Sequence, residues 1–330
     1  KDEILQIKKA MNSPRVSVIL DGENGEKIEL PTAEEAVSYR DGVLVRSTEG
    51  TLRFMSQKNW SALVKDSASL KGELPAESVA VNNKGWTYVF TDRGNIARLD
   101  ITDVTERRWK EKGMNLTQFN RELHPDEKPV KLMFFPSTPV GELVFFTRGG
   151  MVKRSDWNDF TSMRTAGGAI ILGEGDRLIN VENVDDDLNV LEVTAGGLCL
   201  VYRVTEIPVQ GRKAAGVRGV KLNDGDKIAF GGQIDDEGEI IVMTDAGYMK
   251  RVIASTIDPG ARYLKGVKIV EMDKGTVVYI GTVKMPYDLA VNSGGDTFVV
   301  NTEDIRLDTR TTKGKLAFKA GITGAARLPE

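Results

Sequence analysis

Residues 240–252 read IIVMTDAGYMKRV. An apolar β-branched run, a polar turn closed by Gly247, and a second short run ending in Lys250, Arg251 and Val252 spell a β-hairpin. The same sentence recurs through the chain. LVRSTEGTLRFM (44–55), YVFTDRGNIARL (88–99), LVFFTRGGMVKRS (143–155), VLEVTAGGLCLVYR (190–203) and LAVNSGGDTFVV (289–300) each place a glycine between two strand-like runs. The turn glycines Gly50, Gly94, Gly150, Gly197, Gly247 and Gly295 are 44, 56, 47, 50 and 48 residues apart, a period near that of propeller blades and longer than most helical repeats. Six units result.

A second landmark follows the hairpins, where a cationic or polar loop reaches a glycine: WKEKGMNL, MRTAGGAIIL, GRKAAGVRGVKL, GARYLKGVKIVEM and TRTTKGKLAF. An apolar run and often another turn come next, as in GEGDRLINV. Each unit is therefore expected to supply a hairpin, a crossing loop and a further pair of strands. One such unit cannot bury both faces of a small sheet, so units must stack, and six close a ring with only short edges. The fold expected over 16–330 is all-β, a six-bladed ring of four-stranded blades. Ahead of it, KDEILQIKKAMNSPR spaces Ile4, Leu5, Ile7 and Met11 near helical period until Pro14, which predicts a short N-terminal helix over 1–15.

Composition bounds the function. The 330 residues hold 45 Lys and Arg against 48 Asp and Glu, so bulk charge announces no polyanion partner. The lone Cys199, in GGLCLVY, reads as a small buried hydrophobe and excludes an intrachain disulfide, as expected of a cytoplasmic protein. No apolar run is long enough for a membrane span and no signal-peptide pattern is present, so no membrane association is expected. A first residue other than methionine suggests part of a longer protein.

Catalytic patterns are missing. The lone His124, beside Pro125, has no nucleophile nearby in sequence, and one histidine with one cysteine make no structural zinc site of the usual kind. The glycine pairs lie in hairpins and not between a strand and a helix, so they are not phosphate loops. The acidic runs Asp185–Asp187 and Asp235–Glu237 lack calcium-loop spacing and read as solvated turns. NWS at Asn59 and NLT at Asn115 match the glycosylation pattern without a secretory context. No catalytic residue, metal or cofactor is assigned. A hydrolase seated in a central channel would need paired carboxylates that nothing here singles out.

Cations, by contrast, recur at like places. Residues 207–223 contain Arg212, Lys213, Arg218 and Lys221, and 309–319 contain Arg310, Lys313, Lys315 and Lys319, both stretches without an acid. Between 246 and 270, Lys250, Arg251, Arg262, Lys265 and Lys268 face Asp258 alone. Lys153 and Arg154 hold the same place after their turn glycine as Lys250 and Arg251. Units related by rotation put like positions at like heights, so these cations form a discontinuous positive belt. Such a belt suits duplex DNA bent around the ring, neutralising phosphates and reading charge and shape, not sequence. The plainer alternative is that lysine and glycine simply populate exposed turns. Arg40, Arg46 and Arg53 of the first unit either join the belt or pair with nearby acids.

The succession TDRGNIARLDITDV, TRGGMVKRSDWNDF, RTAGGAIILGEGDRLINV, VTEIPVQGRKAAGVRGVKLNDGD and TDAGYMKR closely resembles the C-terminal domain of the A subunit of bacterial type IIA topoisomerases, DNA gyrase and topoisomerase IV. The resemblance extends over essentially the whole chain, and its initial helix looks like the segment leading out of the catalytic core. It implies a β-pinwheel, a propeller-like ring exchanging strands between blades, that binds and bends duplex DNA without itself cutting it. It also implies a nucleoid-associated enzyme whose other parts, the partners of this domain, are the A-subunit core and an ATP-hydrolysing B subunit; the isolated domain is expected to be a monomer. Gyrase carries the pattern QRRGGKG in its first blade. The corresponding loop here, WSALVKDSASLKGELP, offers only Lys65 and Lys71 ahead of Glu73, with Asp66 opposing them, which points towards topoisomerase IV. The DNA contacts expected are Lys153, Arg154, Arg212, Lys213, Arg218, Lys250, Arg251, Arg262, Lys265, Arg310, Lys313 and Lys315. A propeller scaffold for protein–protein interaction is the alternative from another class.

Overall fold

The computed structural model describes residues 39–67, 70–102, 104–161 and 165–329. The expected helix over 1–15, and residues 16–38 of the expected ring, lie outside them. The described residues form six small antiparallel sheets, one for each hairpin read from the sequence. All six turn glycines adopt φ between +77° and +90°, the left-handed region in which a Cβ is strained, which is why glycine marks the period. Three residues earlier stands a buried Ser47, Thr91, Thr147, Thr194, Thr244 or, two residues before its glycine, Ser293. In the first five turns its side-chain oxygen accepts the amide just past the glycine, as Thr147 Oγ1 does from Met151 at 3.0 Å.

Each of the last four units contributes a hairpin, then a two- or three-residue strand, then a longer one; the first two lack the short strand. In the third unit these are β7 (Glu142–Thr147), β8 (Met151–Asp156), β9 (Ala166–Gly168) and β10 (Leu178–Asn183). The longer strand pairs with the first strand of its own hairpin, but β9 pairs with β5 (Asn95–Leu99) of the preceding blade. The pattern repeats as β13 (Val217–Arg218) on β8, β17 (Val267–Lys268) on β12 (Leu198–Arg203), and β21 (Lys315–Leu316) on β16 (Tyr248–Ile253). Blades two to five are therefore four-stranded through exchange. The longer strands neighbour one another in a closed circle around the ring interior, which leaves the exchanged strands on the outer rim.

The end blades differ from the four-stranded expectation, because each contains three strands. In the first, the fourth place is filled only by single bridges, Met114 to Leu52 and Glu106 to Phe54. In the last, the donor would be the first unit's crossing loop, where the sequence reading placed no helix. That loop instead winds into helix α1 (Gln57–Lys65), with Ser56 as N-cap and Leu63 buried. It meets the last blade through side chains, Thr297 Oγ1 accepting from Gly72 N at 3.2 Å and Asn292 Nδ2 donating to Gly72 O at 2.6 Å.

Six apolar clusters lie one at each blade junction. The one joining last to first blade packs Val43, Val45 and Leu74 against Ala290, Ala326 and Leu328, so the ring is closed by core packing. Cys199 is buried. Among the described residues no helix is long and apolar enough to cross a membrane.

Candidate nucleic-acid interface on the outer rim

A glycine precedes each exchanged strand of the last three crossing loops. Gly216, Gly266 and Gly314 have φ of +86°, +77° and +83°. A Cβ would also lie 2.3 Å from Val152 O, 2.1 Å from Cys199 O and 2.7 Å from Met249 O respectively. Backbone conformation and close approach thus both demand glycine, and they press the loop against the preceding blade.

Four residues before each of these glycines stands an arginine, and the three repeat one contact. Arg212 Nε donates to Gly168 O at 3.2 Å, Arg262 Nη1 to Arg218 O, and Arg310 Nη1 to Lys268 O at 3.3 Å. Each guanidinium clips its own loop to the strand exchanged by the loop before it. Lys213, Arg218, Lys265 and Lys315 project into solvent around these clips, and the half-buried Lys313 pairs with Asp273. These eight of the twelve expected contacts lie on three equivalent crossing loops of the outer rim.

The other four do not reach solvent in that way. Lys153 and Lys250, both 0% exposed, lie under the crossing loops. Lys153 Nζ donates to Ala169 O at 2.6 Å and Arg212 O at 3.2 Å; Lys250 Nζ donates to Thr309 O at 2.7 Å and Thr312 O at 2.8 Å. Burial pushes both ammonium groups down to about 8, against the pull of Asp159 on Lys153 and of Asp308 on Lys250. Arg154 pairs with Glu142 at 2.8 Å through Nε, and Arg251 pairs with Glu239 at 2.6 Å while also donating to Ile305 O at 2.7 Å. Their charges hold the loops in place.

Arg53 is the first blade's counterpart, three residues past its turn glycine. It donates to Glu111 O at 2.9 Å and to Glu73 at 2.7 Å. Burial alone would raise the Glu73 carboxyl, but bonds from Arg53, Ser47 and Thr51 hold it at about 2. Arg46 pairs with Glu77 at 3.2 Å, and Arg40 donates to Ile101 O and Thr102 O. All three first-unit arginines are thus engaged within the protein.

In the fourth blade the lysine position holds Leu200, and the polar group moves to its cross-strand partner Glu192. Glu192 is fully buried. Its Oε2 accepts the Tyr202 hydroxyl at 2.9 Å, and its Oε1 has no partner. Burial pushes this carboxyl up to about 8, against the Tyr202 bond. Gly219 of the rim lies directly above, where a Cβ would sit 2.1 Å from Oε2.

The sequence reading quoted WKEKGMNL as a crossing loop but left Arg108, Lys110 and Lys112, all exposed, out of the expected contacts. Lys110 and Lys112 carried a signal, standing three and one residues before Gly113 as Lys213 does before Gly216 and Lys265 before Gly266; the neighbouring Glu106 and Glu111 hid it. Among the described residues no three His, Cys, Asp or Glu side chains gather as a metal site. In the ring interior Glu77 is paired with Lys131 at 2.8 Å as well as with Arg46.

A ring of six hairpin blades, four of them completed at the rim by a strand from the next unit, defines a strand-exchanged β-propeller. The chain belongs to the family of the DNA gyrase C-terminal domain, beta-propeller, whose model matches 87–127, 141–185, 189–231 and 238–284, more than half of its length. Among curated relatives, the A subunit of DNA topoisomerase 4 from Bacillus subtilis is 26% identical over 96% of this chain and 40% of its own, and that of Staphylococcus epidermidis 26% identical over 82% and 34%. The A subunit of DNA gyrase from Mycobacterium leprae is 24% identical over 95% and 25%. The chain therefore spans between a quarter and two fifths of these relatives. Solved C-terminal domains of DNA topoisomerase IV (TM-score 0.76, 21% identity, 88% of this chain and 94% of that one) and of DNA gyrase A (0.67, 16%, 88% and 100%) share the fold.

Proposed function

We propose that this chain is the DNA-binding and DNA-bending domain of a type IIA topoisomerase A subunit, working on DNA that its parent enzyme cuts elsewhere. The observation that carries the reading is the repeated rim loop: in three successive units an arginine clip and a close-approach glycine hold a loop bearing exposed cations on the edge of the preceding blade. Lys213, Arg218, Lys265 and Lys315, joined by Arg212, Arg262, Arg310 and Lys313, are the proposed phosphate contacts, and Arg108, Lys110 and Lys112 extend the row. Several spaced patches suit a bent duplex, since bending 20–30 base pairs by 40–90° costs about 1–6 kcal/mol and one patch would not hold it.

Within the family the reading favours a topoisomerase IV-like role. The first-blade loop lacks the gyrase pattern and carries α1 in its place, so strong wrapping is not expected. The partners proposed for the full enzyme are the A-subunit core and an ATP-hydrolysing B subunit.

The test is binding to linear duplex DNA of about 40 base pairs across a salt series, with religation of nicked circles in the protein's presence. The expected result is salt-steep binding, with a slope of about 0.9 per phosphate contact, and little change in linking number. A large linking shift would overturn the topoisomerase IV-like assignment. No binding at low salt would overturn the DNA reading and leave the rim to a protein partner.

A further inference from the structure

Between the fourth and fifth blades the rim carries a feature found in no other described crossing loop. Tyr263 has φ +68° and is the one non-glycine residue in the left-handed region among the described residues. That conformation costs a residue with a Cβ roughly 1–2 kcal/mol, and the surroundings hold it there. Tyr263 N donates to Gly219 O at 2.6 Å, the next carbonyl, of Leu264, accepts from Lys221 N at 2.9 Å, and Arg262 N donates to Glu206 Oε2 at 2.8 Å. The ring is held as well: Arg218 Nη1 donates to its hydroxyl at 2.9 Å, with the guanidinium carbon 5.7 Å from the ring centroid.

What this backbone presents is apolar. Tyr263 is 39% and Leu264 50% exposed, side by side, although both lie in a row of cations. At the same two positions before the crossing glycine the other described loops place Lys110–Glu111, Lys213–Ala214 and Thr311–Thr312. Burial does not explain the pair, and a solvated turn gains nothing from an exposed leucine beside a strained tyrosine. Backbone strain held by its surroundings clusters at functional positions. An apolar pair flanked by Arg218, Arg262 and Lys265 has the composition with which proteins enter the minor groove: apolar side chains part a base step while neighbouring cations hold the phosphates.

We propose that Tyr263 and Leu264 form a wedge that enters the minor groove of duplex DNA on the rim and concentrates its bend at the junction of the fourth and fifth blades. The inference rests on the DNA reading given above. It adds a property that reading does not supply, a local preference for easily unstacked pyrimidine–purine steps such as TA, on a rim that otherwise reads charge and shape.

The experiment uses the whole chain and duplexes of about 40 base pairs carrying 2-aminopurine beside a central TA step or within a stiff A-tract. The expected result is enhanced fluorescence at the TA step and a preference of about fivefold for that duplex. Leu264→Ala and Tyr263→Gly should abolish both and leave the salt slope unchanged. Tyr263→Gly also relieves the backbone strain, so loss of folding does not confound it. Lys265→Ala should instead lower the slope by about one and keep the unstacking. Binding without unstacking, or unstacking that survives both wedge substitutions, overturns the wedge alone. Absence of duplex binding at low salt overturns the DNA reading together with it.

Discussion

Lys250 and Lys265 are the same residue type in the same unit, and they do opposite work. Lys250 is sealed beneath the crossing loop with its ammonium on two carbonyls, while Lys265 stands in solvent on the loop that crosses to the preceding blade. An inner layer of ionisable groups, Arg53, Lys153, Glu192 and Lys250, holds the loops; an outer layer, Lys213, Arg218, Lys265 and Lys315, is displayed by them. Equal charge in a repeat therefore does not mean equal role. What separates the layers is whether a crossing loop lies on top.

The sharpest way to break this comparison is through Glu192. Its folded pKa, about 8 against an ordinary 4.5, is raised, so its contribution is fully present below pH 4.5 and is lost as pH rises to 8. Between pH 5 and 8 the wild type should lose about 4 kcal/mol relative to Glu192→Gln, at about 1.4 kcal/mol per unit. Urea denaturation of both proteins across that range measures it, and parallel curves would mean that Glu192 is not sealed. Lys250→Ala comes next, with a destabilisation of about 3 kcal/mol from a cavity and two orphaned carbonyls, and unchanged DNA affinity per folded molecule. If stability holds and binding falls instead, the two layers are not distinct. Gly266→Ala, which sets a Cβ against Cys199 O at positive φ, should cost about 2–3 kcal/mol, read from the same denaturation curves. The smallest effect on stability belongs to the outer layer. Lys213→Ala with Lys265→Ala should stay within about 0.5 kcal/mol while lowering the salt slope of DNA binding by about two.

The six hairpins were legible because each turn needs a glycine at positive φ, and that demand is written at a single position. The crossing glycines were legible for the same reason. Exchange between blades was not readable from residue pattern: two-residue strands such as Val217–Arg218 carry no periodicity, and only the resemblance implied it. The inner layer was misread with it, because what covers Lys153 lies far along the chain, at Ala169 and Arg212. A cation inside MVKR or YMKR, hemmed by apolar residues, did carry the hint that it was sealed. Helix α1 was hidden by expecting a loop, although Trp60 and Leu63 are spaced as a helix face. Tyr263 gave no signal, since a non-glycine residue at positive φ leaves no mark on a sequence.

Strand exchange also sets the order in which the molecule can be made. The edge of β5 stays open until β9, roughly seventy residues later, has been synthesised, and the same wait recurs at β8, β12 and β16. Closure over such separations is slow relative to hairpin formation. Blades two to five therefore each leave the ribosome with an exposed edge that only the next unit can cover, and a chain stopped between those units would carry an edge open to aggregation. The boundary at which this protein can be shortened lies after an exchanged strand and its partner, not at the visible gap between blades.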